Sequence, residues 1–158
     1  MVLYGFYVLK NSFFEDMNDP YLKNNKDGHR PFYYCFKEDN QDQTDTDIFW
    51  MIPLSSRIEK YQMIIDNRTA QNKPCDIIHI TTLPTGKKSA FLIQDIFPIT
   101  EKYIEREYTL GNTHLILPYE SEIKTIEQKA KKILSLIKLG VQLTPTSPNV
   151  MLIYEKLL

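Results

Sequence analysis

Ile48-Phe49-Trp50-Met51-Ile52-Pro53-Leu54-Ser55-Ser56 is the stretch on which the fold is read. Seven apolar residues run straight into two hydroxyls. The run is far below the roughly 20 residues a bilayer crossing needs. Its aromatic and β-branched side chains favour a buried strand over Ile48–Leu54. Just upstream, Pro31-Phe32-Tyr33-Tyr34-Cys35-Phe36-Lys37 has the same character. The two runs read as a long-looped hairpin, with the acidic residues 38–47 as its turn.

Working outward, Tyr4–Leu9 reads as the first strand. Asn11–Leu22 reads as a short helix or turn and then a loop, broken at Asn18-Asp19-Pro20. Asn24–Gly28 is a polar loop with turn chemistry at Asp27-Gly28. After the two serines, Ile58, Tyr61, Met63 and Ile65 read as a helix capped by a hydroxyl. Asn67–Pro74 is expected as a loop. Cys75–Thr82 and Ser89–Asp95 are expected as hairpin strands around the turn Leu83–Lys87, with Pro98 as the stop. Ile99–Tyr108 reads as a bulged strand, Gly111-Asn112 as a turn, and Thr113–Leu117 as a short apolar run. Ser121–Leu139 is the clearest helix: Ile123, Ile126, Ala130, Ile133, Leu134 and Ile137 follow helical spacing, and Gly140 suits the C-terminal cap. The tail Pro145–Leu158 reads as a last strand or helix. The fold class is therefore α+β, within one soluble domain spanning residues 1–158.

Composition agrees. The chain has 158 residues, 42% of them hydrophobic, enough to bury a core. Ten Tyr, eight Phe and one Trp lean toward sheet. The apolar N-terminus lacks a basic region and a small-residue cleavage site, so it is not read as a signal peptide. Cys35 and Cys75 lie in apolar runs and form no disulfide framework, which fits free thiols in a reducing cytosol. The net charge is −1, yet Glu38, Asp39, Asp42, Asp45 and Asp47 are concentrated in one acidic stretch without a base. Without those five acids the rest carries +4, which permits a basic face for a polyanion. Taken alone, the stretch reads first as a solvated acidic turn without meaning for function.

No glycine-rich phosphate loop, metal-ligand spacing or nucleophile elbow is present, and His29, His79 and His114 are dispersed. No metal and no cofactor are expected. The first chemical candidate is Ser55-Ser56-Arg57-Ile58-Glu59-Lys60. A buried strand opens into two hydroxyls and then two cations, Arg57 and Lys60, three residues apart on one helix face. Such a group can hold a scissile phosphate and stabilise the charge that builds during transfer. From spacing alone, the reading that comes first is Ser55 or Ser56 as a helix N-cap beside solvated cations. The second candidate is Lys26-Asp27-Gly28-His29-Arg30-Pro31, where His29 can carry a proton and Arg30 can grip phosphate bidentately. An ordinary turn explains it as well. The third is a seven-residue repeat on the long helix, Lys124, Lys131 and Lys138, flanked by Lys129 and Lys132. This stripe reads either as a track for a nucleic-acid backbone or as a solvated face. His79, inside Ile77-Ile78-His79-Ile80, reads as a structural histidine.

The order of several segments carries a resemblance. Phe13-Phe14 through Asn18-Asp19-Pro20-Tyr21 comes first, then Arg30-Pro31-Phe32-Tyr33-Tyr34, then Trp50-Met51-Ile52-Pro53-Leu54-Ser55-Ser56. Lys73-Pro74-Cys75-Asp76-Ile77-Ile78-His79-Ile80 and Phe91-Leu92-Ile93-Gln94-Asp95-Ile96-Phe97-Pro98-Ile99-Thr100 follow. The set resembles the ToxN/AbiQ superfamily of type III toxin–antitoxin toxins, most of all its CptN branch. The resemblance implies a compact, strongly bent, barrel-like antiparallel core similar to Kid/MazF, with helices around it. It implies a metal-independent endoribonuclease held inactive by a repeated pseudoknot antitoxin RNA, whose precursor it cuts and with which it assembles into an RNA-bridged oligomer. Free toxin cuts cellular RNA, and some members abort phage infection. Cleavage by 2′-hydroxyl attack would leave a 2′,3′-cyclic phosphate and a 5′-hydroxyl.

Residue by residue, the family's hydroxyl pair is matched by Ser55 and Ser56, the second being central to cleavage. Its cation before the second strand is matched by Arg30, and its tyrosine after Asp-Pro by Tyr21. The family's cation two positions beyond the second hydroxyl is Ile58 here, a departure that leaves Arg57 and Lys60 as candidates for that role. RNA contact is expected at Tyr21, His29, Lys26, Lys124, Lys131 and Lys138, with unpaired bases stacking on Tyr21 or Phe14. Two other readings of the residues are an RNA-binding module without catalysis and a protein-interaction domain that uses the 38–47 loop.

Overall fold

In a computed structural model, residues 1–38 and 46–158 are described. The middle of the acidic stretch, with Asp39, Asp42 and Asp45, lies outside them.

Strand β3 (Phe49–Ser55) organises the sheet, and all seven of its residues are buried. One edge pairs antiparallel with β2 (Phe32–Lys37). The other edge has two successive partners. Phe49–Met51 pair with β6 (Phe97–Ile99), and Leu54–Ser55 pair with β5 (Lys88–Phe91). Pro53, which lacks an N–H, falls in the gap between the two partners, where no donor is missed. Its carbonyl accepts from the Leu92 amide at 2.9 Å. Beyond β2 lie β1 (Phe6–Leu9) and β7 (Ile104–Glu107); beyond β5 lies β4 (His79–Thr82). The path β4-β5-β3-β2-β1-β7 is open, with β4 and β7 at its ends. A small hairpin of β8 (Thr109–Leu110) and β9 (Thr113–His114) stands apart around Gly111.

Side-chain alternation splits the core between the two faces of the sheet. Tyr33, Trp50, Ile52 and Leu54 enter one cluster, and Phe32, Tyr34, Phe49 and Met51 enter the other. A register shift between Tyr34 and Phe36 leaves Cys35 as the extra residue of a β-bulge. Helix α3 (Glu120–Lys138) lays Ile126, Ala130, Ile133, Leu134 and Ile137 on the first face. Each large side chain buried there contributes about 1.5–3 kcal/mol. Helix α1 (Asn11–Met17) covers the second face with Phe13 and Met17, and α4 (Val150–Leu157) adds Ile153 to it.

Several sequence expectations need correction. Helix α2 (Ile58–Ala70) starts after Arg57, and no side chain caps it; neither serine is its N-cap. It runs through Asn67, which was expected in a loop. The expected strand from Cys75 begins only at His79, and Cys75 lies outside it, half-buried. The expected strand Ser89–Asp95 ends at Phe91, and Ile93–Asp95 form a 3-10 turn whose Gln94 amide donates to the Ile77 carbonyl. Pro98 does not end a strand; it sits in β6 opposite Trp50. The tail is a helix. Phe14 is half-buried and packs on Phe32, so it is not an open stacking platform. Among the described residues no helix is long and apolar enough to cross a membrane.

Candidate active site

The C-terminal end of β3 brings the chain out of the core at Ser55, which pairs with Ala90 of β5. Ser55 is only 8% exposed. Its Oγ accepts from the Arg57 backbone N–H at 3.2 Å. This closes a serine turn that leaves Ser56 exposed at the bend, its carbonyl accepting from the Ile58 amide. Tyr61 follows one helical turn after Arg57 and is buried, 4% exposed. Lys60 Nζ lies 5.2 Å from the centre of its ring.

Arg30 reaches the same place from the loop before β2. That loop is pinned by Asn25, a buried side chain whose Nδ2 donates to the Leu9 carbonyl at 2.8 Å and to Asn11 Oδ1 at 2.9 Å. The Arg30 amide donates to the Asn25 carbonyl, and Arg30 Nη1 donates to the Asn24 carbonyl at 3.1 Å. The guanidinium is partly buried, and that burial lowers its pKa, against the opposing pull of Tyr61 and Asp95.

Asp95 completes the group. It closes the 3-10 turn after β5 and is 4% exposed. Burial raises its pKa to about 6, although Lys23, the Gln94 side chain, Arg30 and Lys60 all favour the carboxylate. Burial, followed by the Asp95 charge, also raises the Tyr61 pKa, while Arg57, Arg30 and Ser55 act in the opposite sense.

Arg30 and Arg57 thus act electrostatically on the buried Tyr61 hydroxyl, and Lys23, Arg30 and Lys60 on the buried Asp95 carboxyl. Among the expected site residues Arg57 contacts Ser55 through its backbone amide, Arg30 acts electrostatically on Tyr61 and Asp95, Lys60 lies over the Tyr61 ring, and Ser56 is exposed. Tyr61, Asp95 and Lys23 were missed. One signal existed for Asp95: an ionisable residue inside the apolar run Phe91–Ile99 is costly to bury without partners. Such a cluster suits a phosphodiester, whose transition state carries extra negative charge in reach of fixed cations.

The other singled-out residues lie around it. Tyr21 is 45% exposed and lines a cavity of about 750 Å³, to which Gln94, Gln142 and Asn149 also contribute. Lys26 and His29 are exposed in the loop before Arg30, and Lys26 adopts a left-handed backbone with φ 45°. On α3, Lys124, Lys131 and Lys138 are all exposed. Lys131 pairs with Glu127 at 2.8 Å and lies over the Phe36 ring, and Lys138 pairs with Glu38 at 3.1 Å. Both line a groove of about 630 Å³ with Tyr4, Tyr34 and Lys37. His79 is half-buried, bonded to Glu122 through Nε2 and to Lys129 through Nδ1, and so ties β4 to α3.

The fold resembles that of AbiQ. AbiQ is a lactococcal anti-phage endoribonuclease belonging to the type-III toxin-antitoxin system. The superposition has a TM-score of 0.60 and covers 97% of this chain and 94% of that one, at 11% sequence identity. At that identity the likeness is one of fold. No family model and no curated protein matches the sequence.

Proposed function

We propose that this chain is the toxin of a type III toxin–antitoxin system, a metal-independent endoribonuclease of the ToxN/AbiQ superfamily and its CptN-like branch. The observation that supports the reading is a buried strand end that turns out to solvent at Ser55 and Ser56, closed by the Arg57 amide and next to a helix carrying Lys60, on a fold like that of AbiQ. Residues 1–158 act as one unit, and the bent sheet is an open relative of the Kid/MazF barrel.

In this reading a single-stranded RNA lays its scissile phosphate on Ser56. The Ser56 hydroxyl and the Arg30 guanidinium donate to the non-bridging oxygens. The ribose 2′-oxygen attacks phosphorus, the bond to the 5′-oxygen breaks, and the departing oxygen takes up a proton. A 2′,3′-cyclic phosphate and a 5′-hydroxyl result. Arg57 or Lys60 supplies the cation for which Ile58 stands in the family pattern. Tyr21, Lys26 and His29 contact the flanking nucleotides, and Lys124, Lys131 and Lys138 contact the backbone. The substrates are cellular RNA and the precursor of a repeated pseudoknot antitoxin RNA, which then holds the toxin in an RNA-bridged assembly in the cytoplasm.

Ser56→Ala tests this reading. It should abolish cleavage and growth arrest while RNA binding survives, measured by gel assay and by induced expression. A fully active Ser56→Ala protein would remove the site assignment. Wild-type protein that binds RNA without cutting it would favour a non-catalytic RNA-binding module.

A further inference from the structure

A cavity of about 750 Å³ opens between the loop after α1, the end of α3 and the start of α4. Its size suits a small planar ligand. Of its lining, only Tyr21 has a part in the cleavage proposed above. Asp19 clamps the walls together: its Oδ1 accepts from the Tyr21 amide at 2.9 Å and its Oδ2 from the Asn149 amide at 2.7 Å. Lys156 Nζ adds a second clamp, donating to the Met17 carbonyl at 2.8 Å. Among the described residues these two are the only charged side chains of the lining, and both are engaged in holding it. One acid and one base leave the lining neutral, which favours an uncharged occupant over a phosphate or an ammonium.

Amide, aromatic and apolar groups make up the rest of the lining. Gln142 is exposed and Gln94 half-buried. Asn149 Oδ1 accepts from the Leu152 amide at 3.2 Å, which leaves its Nδ2 as a donor. A side-chain amide carries donor and acceptor in one plane, the pattern that pairs with the edge of a nucleobase. The exposed Tyr21 ring offers a face for stacking, beside apolar surface from Leu143 and Met151. The cavity is also tied to the strand end that carries the serines. The Leu92 amide donates to the Pro53 carbonyl; Gln94 follows Leu92 by two residues, and Ser56 follows Pro53 by three. Those five residues of chain span at most about 18 Å, a distance that a few nucleotides of extended RNA cover.

We propose that this cavity is a nucleobase subsite. It takes one unpaired base of an RNA whose scissile phosphate lies at Ser56, stacks it on Tyr21 and reads its edge with Gln94, Gln142 and Asn149. The subsite deepens the endoribonuclease reading and rests on it. Its amides decide which sequence is cut and leave the reacting phosphate to other groups. A base without the matching donors and acceptors leaves those amides unpaired, and the site discriminates against it.

The test maps cut sites by sequencing on a random-sequence single-stranded RNA, with Gln142→Leu and Gln94→Leu beside the wild type. Equilibrium dialysis of the four free nucleosides against each protein accompanies it. The wild type should prefer one base at one position near the cut by about tenfold, the worth of roughly one hydrogen bond. Each variant should lose most of that preference while still cutting the less favoured sequences at the wild-type rate. Gln142→Leu, at an exposed loop position, should also melt like the wild type. A base preference left unchanged in both variants overturns the subsite, and so does a wild type that cuts without any preference. If the wild type cuts no RNA, the endoribonuclease reading fails, and dialysis alone judges the cavity. Nucleoside binding that Gln142→Leu weakens would then keep the base site. No nucleoside binding overturns it, and a hydrophobic dye bound instead would mark an apolar groove for a protein segment.

Discussion

Tyr61 shows what a single residue does here. Its ring is buried beneath Lys60, one helical turn beyond Arg57, whose amide donates to Ser55. Tyr61→Ala removes the ring that seats the first turn of α2. It should cost about 3–5 kcal/mol of stability, as deletion of a buried aromatic does. It should lower cleavage several-fold, because the turn that carries Arg57 and Lys60 loses its packing. Denaturant unfolding and a cleavage time course would measure both; unchanged values would show that the ring is idle. At this scale the sequence was partly legible. Ser55, Arg57 and Lys60 stand in one short stretch, and Arg30 leads directly into a strand, so local chemistry marked them. Tyr61 stands one helical turn beyond Arg57 but read as part of the helix's apolar pattern, whereas Asp95 and Lys23 come from distant segments that no local spacing joins to it. Asp95 read instead as the end of a strand.

At the scale of elements, patterning worked where one face or one stripe is buried. The α3 stripe from Ile126 to Ile137 and the alternation in β2 were readable because burial imposes a period. Boundaries failed where tertiary pairing decides them. Pro98 looked like a stop, yet β6 tolerates it opposite Trp50, and β5 gives way to a turn because β3 changes partner at Pro53. The lysine face of α3 is a further case. Helical spacing puts Lys124, Lys131 and Lys138 on one stripe about 10 Å apart, given a rise of roughly 1.5 Å per residue. It did not show that Glu127 and Glu38 would partner two of them. Replacing all three by Glu should cost no more than about 1 kcal/mol per lost surface pair. RNA affinity should fall at least tenfold at low salt, and the slope of binding against salt should become shallower, since up to three phosphate contacts are lost. Titrations at several salt concentrations beside a melting curve would show this. Unchanged affinity and slope would mark the stripe as a solvated face.

The whole molecule joins a scaffold to a charge arrangement. Its open sheet, with helices on both faces, resembles that of AbiQ over nearly the full length of both chains. Net charge is close to neutral, yet cations from the loop before β2, the loop after α1 and the first turn of α2 all act on the buried Asp95 carboxyl. In the proposed function such cations would support phosphodiester transfer by positioning and electrostatics. The most direct measurement is the identity of the ends left on RNA incubated with the pure protein in EDTA. The account predicts cleavage that persists under chelation and leaves a 2′,3′-cyclic phosphate and a 5′-hydroxyl. Cleavage lost to EDTA and restored by a divalent ion, or fragments carrying a 5′-phosphate, would contradict it.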